Sequence, residues 1–186
     1  MVFSSIYGWR TILLRAQIRK FMNFFKSTSI NSYTSCLWVV ILLVSFSSLV
    51  QGMAPPNDYD ALMYHLAIPK YDVERGFISI PWDRAIAQIL FPQFGGHISR
   101  FSLVTMNDGV AQMMHGLFGL LASVATGLII RRLGFDLNTA LLGSLLFLIS
   151  RVVIWQMGTV ETDVPLAAFS ALAMLAYLIF RENGCT

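Results

Sequence analysis

Two acidic residues stand where a carboxylate could act on a bound substrate. Asp60 follows the first long apolar segment of the chain, and Asp163 comes just before the last one. A carboxylate at the mouth of a helical bundle can take a proton from a hydroxyl group or bind a cation. Either residue could instead cap a helix, since Asp is a favoured N-cap residue and Pro165 suits the first turn that would follow Asp163. The spacing alone leaves both interpretations open.

Metal chemistry is the weaker interpretation of the same region. Asp58 and Asp60 have the spacing of a pair of divalent-metal ligands, but residues two apart on a helix point about 200° away from each other. The two cysteines, Cys36 and Cys185, have no metal-ligand or disulfide-framework spacing. The three histidines share no helical face, and the chain contains no glycine-rich phosphate loop. We therefore predict no cofactor, with a divalent metal at the Asp58–Asp60 pair as the alternative.

The elements that must position these acids are membrane-spanning helices. Hydrophobic residues make up 56% of the 186 residues and charged residues only 12%, whereas soluble domains carry about 25% charged residues. Four segments have the roughly 20 apolar residues that a crossing helix needs. They are 34–53, 109–130, 138–158 and 164–180. The sequence thus predicts an all-α integral membrane protein with about four transmembrane helices.

The charged residues orient these spans. Residues 1–57 contain five cations and no acid, whereas residues 58–186 contain eight cations and all ten acids. With four crossings, the cations before the first span, the Arg131–Arg132 pair and Arg181 all fall on one side, which the positive-inside rule makes cytoplasmic. The N-terminus is then cytoplasmic, and the long loop 54–108 lies outside. Nucleic-acid binding is a poor explanation, because the cations are few and flank apolar segments.

Three further segments complete the predicted organisation. We interpret residues 1–33 as a basic cytoplasmic or interfacial flank, with a cleaved targeting segment as the alternative, and residues 181–186 as a short cytoplasmic tail. In the outer loop, Asn57 is predicted to cap a helix that ends near Gly76 and has Asp60 and Tyr64 on one face. A second apolar element over 84–103 is either interfacial or re-entrant.

Arg151 is the unusual residue of the third span. It lies near the middle of that segment, where a charge costs at least ~2.5–3.5 kcal/mol in a bilayer. Such a residue usually faces a cavity or a partner. Snorkelling to the interface, or a different span boundary, would explain it equally well.

Three blocks of sequence together resemble one family. They are PPNDYDALMYHLAIPKYDVERGFISIP, FPQFGGHIS and GTVETDVPLAAF, in that order. They look like the N-terminal part of bacterial polytopic glycosyltransferases of the GT-C class, related to the protein O-mannosyltransferases and aminoarabinose transferases. The resemblance covers residues 54–180 and implies a location in the bacterial inner membrane.

The resemblance implies a reaction and assigns residues to it. A sugar passes from a polyprenyl-phosphate carrier to an acceptor on the outer face, and Asp60 takes the position of the general base. Asp163 is placed in the same cavity. Cations near the leaving phosphate would favour its departure. The substrate-binding candidates are therefore Asp163, Tyr64, Lys70, Arg84 and Arg100.

The chain also departs from what the resemblance predicts. His97 stands where a Glu is expected, and Arg151 stands where an uncharged residue is expected. Members of the class have many more spans, so the sequence indicates a truncated or partial form that would bind membrane lipid and associate with another transmembrane chain or with itself. The alternatives are a non-catalytic membrane remnant or assembly partner, and a small transport subunit.

Overall fold

The computed structural model describes residues 31–78, 94–105 and 107–183, and every regular element within these ranges is helical. The helices are α1 (Ser32–Gly52), a π-helical turn (Ala61–His65), α2 (Ala67–Arg75), α3 (Phe94–Thr105), α4 (Asp108–Arg132), α5 (Leu137–Leu148), α6 (Arg151–Gln156) and α7 (Asp163–Asn183). The all-α prediction is therefore confirmed. The flank 1–33 falls outside the described residues except for its last three positions.

Three of these helices are long and apolar enough to cross a membrane. They are Ser32–Gly52, Asp108–Arg132 and, within α7, Asp163–Glu182. Their outward faces carry large apolar side chains; Leu42, Leu43 and Phe46 of α1, for example, are each more than 60% exposed. A bundle with an apolar exterior is suited to lipid rather than to water. The structure thus supports an integral membrane protein.

The third predicted span differs, because it is not one continuous helix. The apolar helix α5 has 12 residues and ends at Leu148, and the chain resumes as the short α6 after Ser150 adopts an extended backbone conformation. The two pieces still run from one end of the bundle to the other. Asn138 accepts a hydrogen bond from the Thr34 hydroxyl at one end, whereas Gly158 packs against Gln51 at the other.

The two ends of the bundle differ in charge. At one end α4 finishes in Arg131 and Arg132, and Arg132 forms an ion pair with Glu182 of α7. At the opposite end the backbone of Gly52 packs against Gln112 and Met113, so that the loop after α1 emerges beside the start of α4. The predicted outer acids Asp58 and Asp60 before α2, Asp108 at the start of α4, and Glu161 and Asp163 at the start of α7 therefore lie at this second end, which we call the acidic end.

Small and polar residues hold the helices together. The hydroxyl of Ser123 donates to the carbonyl of Ser144, and the hydroxyl of Ser144 donates to the carbonyl of Ser123, at 3.1 and 2.9 Å. A Cβ atom at Gly119 would overlap the side chain of Met157, and one at Gly127 would overlap Ser144. Close backbone approach and reciprocal hydroxyl bonds are the usual means of joining helices in lipid, where apolar burial between helices gains little.

Arg151 lies close to mid-depth and outside the packed core. Leu148 and Met157, on either side of the break, pack against Ile41 and Phe118, which are near the middles of α1 and α4. Arg151 itself is exposed, and the described residues place no acid against it. The break in the third span therefore presents a cation on the outer surface of these helices.

The first turn of the outer loop is capped differently from the prediction. Asp58, not Asn57, accepts the backbone N–H groups of Asp60 and Ala61 through Oδ2, at 3.1 and 3.2 Å. The N–H of Leu66 bonds to the carbonyl of Ala61, which is the π-helical spacing. Pro69 lies in the first turn of α2, where its missing N–H costs nothing. Gly76 ends that helix with a positive φ of 77°, as a glycine after a helix commonly does.

We expect the two ends of the bundle to lie on opposite sides of the membrane. In a background without Cys36 and Cys185, cysteines introduced at Glu74 and Thr162 should react with an impermeant thiol reagent added outside, whereas one at Leu133 should react only after the membrane is opened. All three positions are exposed; Thr159, although in the same turn as Thr162, is only 3% exposed and is unsuitable. If the cysteine at position 133 were labelled from outside, the orientation would be the opposite of the one proposed. If the cysteines at positions 74 and 162 were labelled from opposite sides, these two segments would not lie at the same end of the bundle.

Candidate functional site

Asp60 lies at the acidic end in direct contact with Tyr64. The Tyr64 hydroxyl lies within hydrogen-bonding reach of the Asp60 side chain, so the two residues meet as their shared helical face predicts. Burial, followed by the negative charge of Asp60 and this hydrogen bond, raises the pKa of Tyr64 to about 12. The phenol therefore remains protonated and donates to Asp60. Both side chains are half-buried, which leaves the carboxylate accessible to a substrate.

The site also contains a carboxyl group from a distant part of the sequence. Glu161, in the turn between α6 and α7, is 7% exposed. Its Oε2 lies 3.5 Å from Nε2 of His65, and its carboxyl also lies within hydrogen-bonding reach of Asp58. Burial is the main cause that raises the pKa of Glu161, and Asp58 raises it further, whereas the contact with His65 opposes the shift.

A small apolar core fixes these two segments against each other. Ala61 from the π-helical turn, Leu66 directly after it, Ala111 from α4 and Val160 beside Glu161 form one buried cluster. His115, also buried, is on the same side of α4 one turn beyond Ala111 and bonds to its carbonyl through Nδ1 at 2.8 Å. The turn that carries Asp60 is thus held to α4 and to the Glu161 turn by packing as well as by polar contacts.

Asp163 stands at the same end but in a separate contact. Its Oδ2 accepts a hydrogen bond of 3.0 Å from Nε2 of Gln156, and the residue is exposed at the start of α7. The described contacts join Asp60 to Tyr64 and Asp58, and they join Asp163 to Gln156. The two predicted acids therefore reach one face of the bundle without touching each other.

The three predicted cations have different surroundings. Lys70 is 57% exposed, with Nζ 3.9 Å from Oδ2 of Asp108, so it can reach an anionic ligand. Arg100 is buried, and its Nε and Nη2 both donate to Oδ2 of Asp72, at 2.8 and 2.6 Å. Arg84 lies outside the described residues. Of these two described cations, Lys70 is thus exposed, while Arg100 ties α3 to α2.

His97, which stands where the resemblance predicts a Glu, lies on α3 next to Arg100. Its Nδ1 is 3.4 Å from Nη1 of that residue. The start of α3 reaches the Glu161 turn, because a Cβ atom at Gly95 would lie 3.1 Å from the Thr162 side chain. The FPQFGGHIS block and the GTVETDVPLAAF block therefore meet at the acidic end. Over the part of the chain that the structure describes, no three His, Cys, Asp or Glu side chains are grouped to hold a metal ion.

The sequence analysis did not single out Glu161 and His65 as members of the site. The three histidines share no helical face, and Glu161 is one of several acids predicted on the outer side. The sequence does contain a hint, because each of these two residues lies within two positions of a predicted site residue. Glu161 precedes Asp163 by two residues, and His65 follows Tyr64 directly.

The buried carboxyl predicts a dependence of stability on pH. Because its pKa is raised in the native state, Glu161 binds a proton more tightly there than in the unfolded chain. Its contribution to the free energy of unfolding is complete below the ordinary value of 4.5 and is lost as the pH rises through the raised pKa. In denaturant titrations at a series of pH values, Glu161→Gln should flatten the slope with which the free energy of unfolding decreases as the pH rises. The matched change Glu74→Gln, at an exposed position of α2, should not flatten it, and equal slopes in all three proteins would contradict the assignment.

The fold and the site together define an all-helical integral membrane protein with a carboxylate-containing site at one end of its bundle. Residues 100–185 match the family of dolichyl-phosphate-mannose-protein mannosyltransferases. The matched segment includes the second half of α3 and all of α4 to α7, with Glu161 and Asp163, whereas Asp60 precedes it. Comparison with curated proteins and with solved structures gave no significant match. The family match supports a glycosyltransferase-like function of the mannosyltransferase type.

Proposed function

We propose that the protein takes part in transferring a sugar from a polyprenyl-phosphate carrier to an acceptor hydroxyl at the acidic end of the bundle. The observation that carries this proposal is the match of residues 100–185 to the mannosyltransferase family. The acidic end supports it further, because Asp60 is accessible there and is oriented by Tyr64. In this proposal the acidic end faces outward and the N-terminus is cytoplasmic, as in a bacterial inner membrane protein.

Individual steps of the transfer can be assigned to individual side chains. Asp60 accepts the proton of the acceptor hydroxyl, the freed oxygen attacks the anomeric carbon, and the bond from that carbon to the phosphate oxygen breaks. The electron pair of that bond leaves with the lipid phosphate, whose growing negative charge a nearby cation stabilises. We assign this role to Lys70, whose side chain is exposed, with Arg84 as the further candidate. Asp163 can bind hydroxyl groups of the sugar or the acceptor.

Asp60 is assigned as the base, rather than Asp58, because of what each carboxyl already binds. One oxygen of Asp58 accepts two backbone N–H groups, and the same carboxyl faces the buried Glu161. Asp60 accepts from the Tyr64 hydroxyl and retains lone pairs for a substrate, since a carboxylate offers about four acceptor sites. Asp58 is thus a structural residue of the loop, and Asp60 is its reactive residue.

Arg100 enters this proposal as a positioning residue. Its guanidinium group joins α3 to α2 through the buried carboxylate of Asp72, and α2 continues directly from the turn that carries Asp60. The ion pair therefore holds the turn that carries Asp60 in a fixed position relative to α3.

We expect the described helices to need further transmembrane helices for activity. An isoprenoid chain requires a groove, the reacting carbon requires walls that exclude water, and a polar cavity at membrane depth must be lined by protein. Arg151 is exposed near mid-depth, where an unpaired charge in lipid costs at least ~2.5–3.5 kcal/mol. A further helix, from another chain or from a second copy, would both cover Arg151 and complete the cavity.

The test is to purify the chain in detergent, measure the mass of the protein component, and assay transfer from a polyprenyl-phosphate mannose. We expect a mass above the 20.8 kDa of one chain, or instability, and no transfer by the monomer. Arg151→Leu should shift the assembly towards the monomer, whereas Val152→Leu, at the neighbouring exposed position, should not. A stable monomer with sustained turnover would overturn the requirement for further helices. An assembly that lacks transfer in every lipid carrier tested would favour the second candidate function, a non-catalytic assembly partner.

A further inference from the structure

Glu161 is buried between segments that are distant in sequence. It belongs to the turn between α6 and α7, but its neighbours Asp58 and His65 belong to the outer loop after α1. One carboxyl oxygen, Oε2, faces His65, while Oε1 is buried without a hydrogen-bond partner among the residues that the structure describes. A buried ionised carboxylate that lacks partners is costly, whereas a protonated one is uncharged and becomes a donor.

We propose that Glu161 is a positioning residue for Asp60, and that it acts by sharing one proton with Asp58 across the gap between the two outer segments. In this arrangement the Glu161 carboxyl donates to Asp58. The Oδ2 atom of Asp58 continues to accept the backbone N–H groups of Asp60 and Ala61. The inference rests on the proposed role of Asp60 as base, but its structural part can be measured without turnover.

The charges around Glu161 favour the shared proton. Asp58 faces it directly, and Asp60 lies beyond Tyr64 in the same cluster. A third negative charge among these acids would be repelled by the other two, and closely placed carboxyl groups generally retain a proton for this reason. From α4, the group that faces the cluster is His115, which is buried with Nε2 unpartnered among the described residues.

The competing arrangement is an ion pair between ionised Glu161 and protonated His65. The separation of 3.5 Å between Oε2 and Nε2 is long for a charge-assisted hydrogen bond. The buried, unpartnered Oε1 would also carry part of the negative charge in that arrangement. The shared proton avoids both difficulties and leaves Asp60 as the accessible carboxylate of the group.

The shared proton predicts how the site responds to pH. When the pH rises enough to remove the proton, Glu161 and Asp58 repel each other, and the two outer segments separate. Asp58 then no longer holds the backbone of Asp60 against the Glu161 turn. Transfer should therefore decline on the alkaline side through a lower kcat, because Asp60 loses its position.

Hydrogen exchange in the purified chain tests the structural part. Because a glutamine side chain can donate to Asp58 as the protonated acid does, Glu161→Gln should keep the amides of Asp60 and Ala61 protected and remove the pH dependence of that protection. Glu161→Leu removes the donor and should speed their exchange about tenfold, as expected for one lost hydrogen bond. The infrared band of a protonated carboxyl group should be present in the wild type and absent from Glu161→Gln. The matched control is Glu182→Gln.

The outcomes separate this inference from the proposed function. If the amides of Asp60 and Ala61 exchange as fast in Glu161→Gln as in Glu161→Leu, the proposal of a shared proton is overturned in favour of the ion pair with His65. The same follows if Glu161→Gln leaves the infrared band of the protonated carboxyl group unchanged. If both Glu161 variants exchange like the wild type, the positioning role is overturned as well. In an assembly that performs transfer, Glu161→Gln should remove the alkaline decline of kcat. Exchange and infrared results as expected, with transfer unaffected by Asp60→Asn, would uphold the linkage of the two segments and reject the proposed base.

Discussion

Sugar transfer should fall by at least ~100-fold when Asp60 is replaced by asparagine, because a positioned general base contributes about that much or more to such reactions. Asparagine has nearly the same shape as aspartate and can still accept the hydrogen bond from Tyr64, so the fold of the loop should persist. The loss should appear in kcat, because proton removal is needed only in the transition state. The measurement is the rate of transfer from a polyprenyl-phosphate sugar in the assembly that carries out the reaction.

Asp58→Asn is the matched control, two residues away. Its side-chain oxygen can still accept the N–H groups of Asp60 and Ala61, as Asp58 does at 3.1 and 3.2 Å. We expect only a mild loss of transfer from this change. Equal losses in the two variants, or full activity in Asp60→Asn, would reject Asp60 as the base.

Removing one partner of the Asp72–Arg100 pair should have the largest effect on stability. Asp72 is 2% exposed and Arg100 8% exposed, so Asp72→Ala leaves a buried guanidinium group without its nearest carboxylate. Breaking a buried ion pair in this way costs about 3–5 kcal/mol. The free energy of unfolding in denaturant and the exchange of the α2 and α3 amides are the measurements. Because α2 follows the Asp60 turn, transfer should fall as well.

Two variants separate the ion pair from general effects of substitution in α2. Glu74→Ala lies on the same helix at an exposed position and should change stability by less than about 0.5 kcal/mol. The double change Asp72→Leu with Arg100→Met replaces both charges by apolar groups and should recover much of the loss, as apolar replacements of buried ion pairs often do. If the double variant were as unstable as Asp72→Ala, the loss of stability would not come from leaving the Arg100 guanidinium buried without its carboxylate.

Local patterns in the sequence predicted the features that depend on neighbours within a few turns. Asp60 and Tyr64 are four residues apart, and the structure brings their side chains within hydrogen-bonding reach. Gly76 ends α2 with a positive φ, as glycines after helices commonly do. The cap of the preceding turn was predicted one residue too early, at Asn57. The first backbone bond of that turn runs from the N–H of Leu62 to the carbonyl of Asp58, so Asp58 is the residue whose side chain accepts the N–H groups of Asp60 and Ala61.

The sequence by itself determined that this is a helical membrane protein, because length, apolarity and charge placement are properties of the chain that any fold must accommodate. It also placed Asp60 and Asp163 outside the spans, at the ends of apolar segments. Only the tertiary structure decided which groups meet there. It paired Arg100 with a carboxylate 28 residues away, so that this cation joins two helices, and it buried Glu161 beside Asp58 and His65. Spacing in a sequence reports neighbours three or four residues apart, whereas the packing of α4 against the outer segments sets the burial and the partners of these charged groups.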